Sequence, residues 1–354
     1  MKEHDLPFIT FMVAAYNEEE IIEEKIWNSL ELDYPKEKVQ YLFVTDGSND
    51  GTMDIIRQYS AIELEHEAPR RGKIAAVNRV MPLARGEITI FSDANAMLNK
   101  SCLKNIVRHF QHEEVAAVAG EKRVNSTEVD NASGAGESMY WKYESTLRKW
   151  DGRFYSVMGA AGELFAIRTI MHEQLEEDTL IEDFVMTMKM VRQGKRIAYA
   201  PDAYAMEEAS EDSAEELKRK IRISAGGLQA SWRLRDLMNP FKYPAVSFQF
   251  LSHRVFRWTI APIALVLLFV LHPFLAVTQE GIYTLTWILH LAFYALAVVG
   301  AVLASRKIKV KVAFVPYYFL LMNYSVFMGL GRLIRGKQSV VWEKAKRKKV
   351  AVNP

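Results

Sequence analysis

Apolar residues along this chain fall in two regimes. In the front part, short apolar runs alternate with segments whose apolar positions recur every three to four residues. The runs at 8–15, 39–45, 62–66, 88–92, 115–119, 164–168 and 196–200 read as buried strands. Between them lie helical patterns. Segment 18–30 carries Ile21, Ile22, Ile26 and Leu30 on one face, and 73–83 carries Ile74, Val77 and Met81. Further helices are predicted over 53–59, 103–110, 139–150, 183–192 and 213–237, the stretch 121–180 being the least regular. This alternation predicts an α/β domain with a mostly parallel central sheet. Such sheets take ligands at the carboxyl ends of their strands. Tyr16, Asp46 and Asp93 each fall just past a strand.

From Asn239 the pattern changes. Segments 258–277 and 282–304 are continuous apolar stretches, each with roughly the 20 residues a membrane-spanning helix needs. A third, 312–330, is long enough but contains Pro316 and Asn323. Segment 239–257 mixes aromatics with Lys242, His253, Arg254 and Arg257, as an interfacial amphipathic helix does. The expected organisation is a soluble domain over 1–238, the interfacial segment 239–257, a membrane domain over 258–335 and a basic tail over 336–354.

Charge follows the same division. Residues 241–354 hold 15 Lys/Arg and two acidic residues, which leaves 30 basic and 41 acidic residues in front of them. The basic residues flank apolar stretches, so they point to a membrane surface rather than to nucleic acid. Arg254 and Arg257 precede the first span, and Arg306, Lys307, Lys309 and Lys311 follow the second. The loop 278–281 has an acid and no base, so it is expected outside and the front domain in the cytosol. Both flanks of 312–330 are basic, which favours an in-plane or re-entrant helix over a third full span. The start of the chain shows no secretory signal pattern, so a multi-pass protein of the cell's inner membrane is expected. Cys102 is the sole cysteine, which excludes an internal disulfide and a two-cysteine zinc site.

Six short patterns carry candidate chemistry. Tyr16-Asn17-Glu18 follows the first strand; Tyr16 can stack on a base and Glu18 can accept ribose hydroxyls, or the same residues can start a helix. Asp46-Gly47-Ser48-Asn49-Asp50-Gly51-Thr52 places a carboxylate before a glycine-rich turn, fit to hold a nucleoside. Arg70-Arg71-Gly72-Lys73 puts cations at a helix start, where an anion such as a diphosphate offsets their repulsion by the helix dipole. Asp93-Ala94-Asn95 offers two hard oxygen ligands for Mg²⁺ or Mn²⁺. Glu182-Asp183 opens a helix as a candidate general base or as a plain cap. Lys218-Arg219-Lys220-Ile221-Arg222 can neutralise a departing diphosphate or line a basic surface.

In their order, and with Gly162-Glu163-Leu164-Phe165-Ala166-Ile167-Arg168, these segments make residues 8–235 resemble the family 2 glycosyltransferases of GT-A fold. The resemblance implies a donor site in which Asp46 holds the nucleoside, Tyr16 and Glu18 surround base and ribose, and Lys73 sits near base or diphosphate. It implies that Asp93 binds the donor and its divalent metal, that Asp183 is the catalytic base beside Glu182, and that the Gly159–Gly162 region lines the acceptor side. Two departures stand out. The family's acid pair ends here in Asn95, which offers a carbonyl as the second metal ligand. The Gln-x-x-Arg-Trp of processive members is absent, so Arg219, Lys220 and Arg222 carry over only a basic role.

The implied activity is an inverting transfer from a nucleotide-diphosphate sugar, of UDP type, to a glycan or a lipid-linked acceptor in cell-surface polysaccharide synthesis. A polyprenyl-phosphate acceptor is one alternative, and a non-catalytic nucleotide-sugar-binding membrane scaffold is another. Export of a polymer would need a homo-oligomer or a partner, because two or three spans enclose no channel.

Overall fold

A computed structural model of the chain describes residues 3–125, 132–208, 213–279, 281–306, 308, 310–339 and 341. Glu280, Lys307, Lys309 and most of the basic tail therefore lie outside the described residues. Among the described residues eight strands form one sheet: β1 (Ile9–Ala15), β2 (Val39–Asp46), β3 (Ile62–Glu67), β4 (Ile88–Asp93), β5 (Met97–Leu98), β6 (Val115–Asn125), β7 (Leu164–Arg168) and β8 (Arg196–Glu208). Their order is β3-β2-β1-β4-β7-β6-β8-β5. The pairs β1–β2, β1–β4, β2–β3 and β6–β8 are parallel, while β7 runs antiparallel to both its neighbours.

Helices cover both faces: α1 (Ile22–Leu30), α2 (Thr52–Ile56), α3 (Lys73–Val80), α4 (Cys102–Val107), α5 (Ala132–Phe154), α6 (Glu182–Arg192) and α7 (Ser213–Arg233). Alternation along the strands divides the core. Met12, Leu42 and Val44 face Ile74 and Val77 of α3 and Met188 of α6. Phe11, Val13 and Phe43 face Ile22 and Ile26 of α1 and Ile106 of α4.

β6 and β8 continue well past residues 119 and 200, where the apolar runs end. A register shift after Gly120, with Glu121 pairing Tyr204, lets both strands extend with polar residues to Asn125 and Glu208.

The rear of the chain forms α8 (Pro244–Phe250), a wider turn over Leu251–Val255, α9 (Phe256–Trp258), α10 (Ile260–Thr278), α11 (Ile282–Ser305) and α12 (Lys311–Ile334). Three of these helices, over Ile260–Thr278, Ile282–Ser305 and Val312–Ile334, are long and apolar enough to cross a membrane. α10 and α11 are largely bare, and α12 is not. Phe319 of α12 packs on Phe293 of α11 with ring centroids 5.8 Å apart. Further along, Ser325 Oγ lies 2.9 Å from Ser224 Oγ of α7. A Cβ on Gly329 would stand only 2.8 Å from the Ala225 backbone nitrogen, so α12 touches α7 backbone to backbone. Residues 311–334 are thus one unbroken helix joining the apolar hairpin to the α/β domain.

Segment 239–257 departs from a helix lying on lipid. Val246, Phe250, Val255 and Trp258 are buried in the same core as Phe184. Lys242 stays exposed, but His253, Arg254 and Arg257 find their partners inside the protein. Arg254 reaches Glu144 of α5 at 2.7 Å and Arg257 reaches it at 3.1 Å, while His253 pairs with Asp151. A basic amphipathic pattern fits a buried ion-pair network as well as it fits a membrane surface, and here the partners come from a distant helix.

Candidate active site

The parallel strands end together, so the side chains just past them share one edge. β7 runs the other way, which brings its amino end to that edge: Ser92 pairs Leu164, and Asp93 stands beside Glu163. The extensions of β6 and β8 deliver Lys122 and Glu207 to the same place.

At the centre, Lys73 Nζ lies 2.6 Å from Asp93 Oδ1 and 3.1 Å from Glu182 Oε1. A Cβ on Gly162 would stand 3.2 Å from Lys73 Nζ, 3.6 Å from Asp183 Oδ2 and 3.7 Å from Asp93 Oδ2. Gly162 therefore leaves open the space on which Lys73, Asp93 and Asp183 converge. Lys73 heads α3, and the turn before it is fixed by Asp46, whose carboxylate accepts the N–H groups of Arg71 at 3.1 Å and Gly72 at 2.6 Å.

Burial dominates the electrostatics. Burial, then the like charge of Glu182, raises the Asp183 carboxyl to about 7 against the pull of Lys73. Burial also raises Asp93, with Lys73 opposing it. Glu182 is held below its ordinary value, since Lys73 and Arg222 outweigh its burial. Burial works against the Lys73 ammonium, but Asp93 and Glu182 win and hold its pKa above the usual lysine value.

A second cluster supports the first. Lys122, almost fully buried, bridges Glu163 at 2.6 Å and Glu207 at 2.7 Å. Glu163, despite its burial, is held down to about 2 by Lys122, and Arg219 adds to the effect. Sequence patterns did not single out Lys122 or Glu207. The signal was the polar continuation of two strands past a bulge, which no alternation rule marks.

α7 brings Arg219 and Arg222 to the lining of the same cavity. Lys220 lines the cavity beside them and is itself buried, 3.4 Å from Glu216 and 4.1 Å from the centroid of the Tyr140 ring. Of the Gly159–Gly162 stretch, Ala160, Ala161 and Gly162 line the cavity and Gly159 stands behind them. Its φ is +87°, and a Cβ there would meet the Phe184 ring at 2.0 Å, so it admits the residue next to Asp183 rather than lining the cavity.

Tyr16, Glu18 and Asp46 form a neighbouring group rather than part of this centre. The Arg70 guanidinium stacks 3.5 Å over the Tyr16 ring. The Glu18 N–H donates to Thr52 Oγ1 at 2.8 Å, and Asn17 and Asn49 exchange hydrogen bonds of 2.8 and 2.9 Å. These bonds tie the loop after β1 to the loop after β2.

Among the described residues no group of three or more His, Cys, Asp or Glu could hold a metal alone. Asp93 and Asn95 fit a sparser site. Mg²⁺ binds through one or two protein oxygens and completes its shell with waters and phosphates. Asn95 has a buried side-chain amide nitrogen without a partner among the described residues, and turning that amide over would present its carbonyl instead.

The mixed sheet, with charged side chains gathered at the carboxyl ends of its parallel strands, is that of a glycosyltransferase of GT-A type. The chain belongs to the glycosyltransferase like family 2, whose model matches residues 7–226. It is 28% identical over 201 residues to a beta-monoglucosyldiacylglycerol synthase of Trichormus variabilis, covering 52% of this chain and 41% of that protein. It is 25% identical over 252 residues to a poly-beta-1,6-N-acetyl-D-glucosamine synthase of Staphylococcus aureus, covering 67% of this chain and 58% of that protein. The chain thus spans about half the length of these curated relatives. A solved mannosyltransferase from Pyrobaculum calidifontis, in complex with GDP-Man and Mn²⁺, shares the fold with a TM-score of 0.70 at 24% identity, over 95% of this chain and 89% of that one.

Proposed function

We propose that the protein transfers a sugar, with inversion, from a nucleotide-diphosphate sugar to a hydroxyl acceptor presented at the cytoplasmic face of a membrane. The observation that carries this is the convergence of Asp183, Asp93 and Lys73 on the open space beside Gly162. The nucleoside lies toward Tyr16, Glu18 and Asp46, and the diphosphate toward Lys73, Arg219 and Arg222.

Asp183 takes the proton from the acceptor hydroxyl. That oxygen then attacks the anomeric carbon while its bond to the diphosphate breaks, through a transition state of oxocarbenium character. Lys73 and the α7 arginines stabilise the leaving diphosphate. A divalent cation held by Asp93 and Asn95 would neutralise further diphosphate charge.

The relatives' names support both a lipid and a glycan acceptor. α10 and α11 cross the membrane in this reading, and α12, docked along α7, lies at its surface. The test is Asp183→Asn in detergent-solubilised protein, with a panel of UDP- and GDP-sugars plus Mg²⁺, Mn²⁺ or chelator. Donor binding is retained and transfer falls about 10²–10⁴-fold. Near-normal turnover would remove Asp183 from its role.

A further inference from the structure

Helices α5, α7 and α12 come from distant parts of the chain and meet beside the reaction centre. A carboxylate is buried where they meet. Glu216, in the first turn of α7, is 1% exposed. Its Oε1 accepts from the Tyr318 hydroxyl of α12 at 2.8 Å and stands 3.4 Å from Lys220 Nζ. Its Oε2 takes one edge of the Arg219 guanidinium, Nε at 3.0 Å and Nη2 at 2.9 Å. Burial works against the charge, but Arg219, Lys220 and the Tyr318 bond hold this carboxyl down to about 2. Tyr318 is buried as well. With Tyr140 and Trp141 it forms an aromatic wall of the cavity of about 1010 Å³ that opens from Lys73, Asp93 and Asp183.

Arg219 lines that cavity, and Glu163 at the reaction centre feels its charge. Arg222 lines it too, but is anchored from another side: its Nη1 donates to the Leu180 carbonyl, just ahead of α6, at 3.2 Å. Arg219 is anchored by an acid that α12 holds. A buried carboxylate needs its oxygens occupied by donors. Without the Tyr318 O–H, Oε1 must turn to the cations already on α7, and that draws the Arg219 guanidinium back from the cavity.

We propose that Tyr318 is a positioning residue: through Glu216 it holds Arg219 where the outer phosphate of the nucleotide lies, so a helix of the apolar rear sets a charge that receives the leaving group. The inference rests on the glycosyl-transfer reading and adds to it a residue outside every sequence pattern of the site. An arginine held by one edge in a fixed plane is suited to a phosphate, whereas a swinging one spends binding energy on being ordered.

The experiment measures binding of UDP, UMP, GDP and GMP to the full chain in detergent with Mn²⁺, by titration calorimetry. The ratio of diphosphate to monophosphate affinity reads the contact with the outer phosphate. Tyr318→Phe lowers that ratio about tenfold, the scale of one hydrogen bond to a charged group, and leaves monophosphate affinity unchanged. Arg219→Ala lowers it at least as much, and the double variant loses no more than Arg219→Ala alone, because both changes remove the same contact. Glu216→Asp keeps the charge but draws the anchor back by one methylene. It lowers the ratio in the same direction, and reads the anchor where Tyr318→Phe fails to fold. An unchanged ratio in the variant that folds, or losses that add in the double variant, overturns the positioning role and leaves the transferase reading standing. An unchanged ratio with a fall in transfer overturns it too, and puts the Tyr318 ring on the acceptor's path. No binding of any of these nucleotides by the unaltered chain overturns both.

Discussion

At the scale of single residues, Asp183 is governed by its neighbours more than by its own chemistry. With its carboxyl raised to about 7, the basic form dominates only above that pH. The transfer rate is therefore expected to climb as pH rises through about 7, and a pH–rate profile checks it. Glu182→Gln removes the like charge and moves that rising limb to lower pH. Stability runs the opposite way. An Asp raised from 3.8 favours the fold most at low pH, and this contribution is lost as pH rises through about 7. Asp183→Asn should thus raise Tm more at about pH 8 than at about pH 5.

Lys25 is the second residue of this kind. It is fully buried, its pKa is pushed down to about 7 by that burial, and it donates to Ser92 Oγ at 2.7 Å and to the Ala96 carbonyl at 2.5 Å. Those two atoms bracket Asp93 and Asn95. Lys25→Met frees the loop, so the donor KM is expected to rise several-fold with a smaller change in kcat; equal losses in both would mark a role other than positioning. Asp183 and Asp93 were legible in the sequence because each follows a pattern boundary. Lys25 was not, because a lysine among helical polar residues gives no sign that it points inward.

At the scale of elements, apolar periodicity located most strands and helices but not their ends. The runs at 115–119 and 196–200 stop where the two strands bulge, and the polar extensions carry Lys122 and Glu207. The antiparallel β7 was equally hidden, since its four apolar residues, Leu164 to Ile167, look alike in either direction. Turn glycines were easier to see than to assign. Gly159, at φ +87° and against Phe184, is a packing element of α6. Gly159→Ala is expected to cost about 1–3 kcal/mol through overpacking alone, with backbone strain added, and thermal unfolding measures it. α12 offers a test of docking. Ser224 and Ser325 touch at 2.9 Å, and the one native cysteine is buried. The double variant Ser224→Cys/Ser325→Cys should cross-link on mild oxidation in membranes, and persistent reactivity of both thiols toward maleimide would show that α12 does not rest on α7.

At the scale of the whole molecule, one buried charge joins the catalytic domain to the apolar helices. Glu144 of α5, 1% exposed, faces Arg254, Arg257 and His253 from the segment just before α10 and Arg148 from its own helix. Burial alone would raise this carboxyl, but Arg254 and Arg257 overcome it and hold it well below the usual glutamate value. The sequence showed these arginines only as flanking charges of a span, because their partner sits on a helix more than a hundred positions earlier. Glu144→Gln leaves guanidinium groups buried without a counter-charge, and removal of one partner from a buried pair costs about 3–5 kcal/mol. Acid should have the same effect, since a carboxylate with a depressed pKa contributes stability above its unfolded value that is lost as pH falls through the folded one. The consequence falls on the seam between the two parts, where the aromatic wall of the cavity is assembled. Limited proteolysis of the full chain in detergent is therefore expected to cut the Glu144→Gln protein between residues 239 and 259 at neutral pH. The unaltered protein should become sensitive there only in acid. Equal resistance of both proteins at neutral pH would show that apolar packing of Phe250, Val255 and Trp258 against Phe184 holds the seam without the charge.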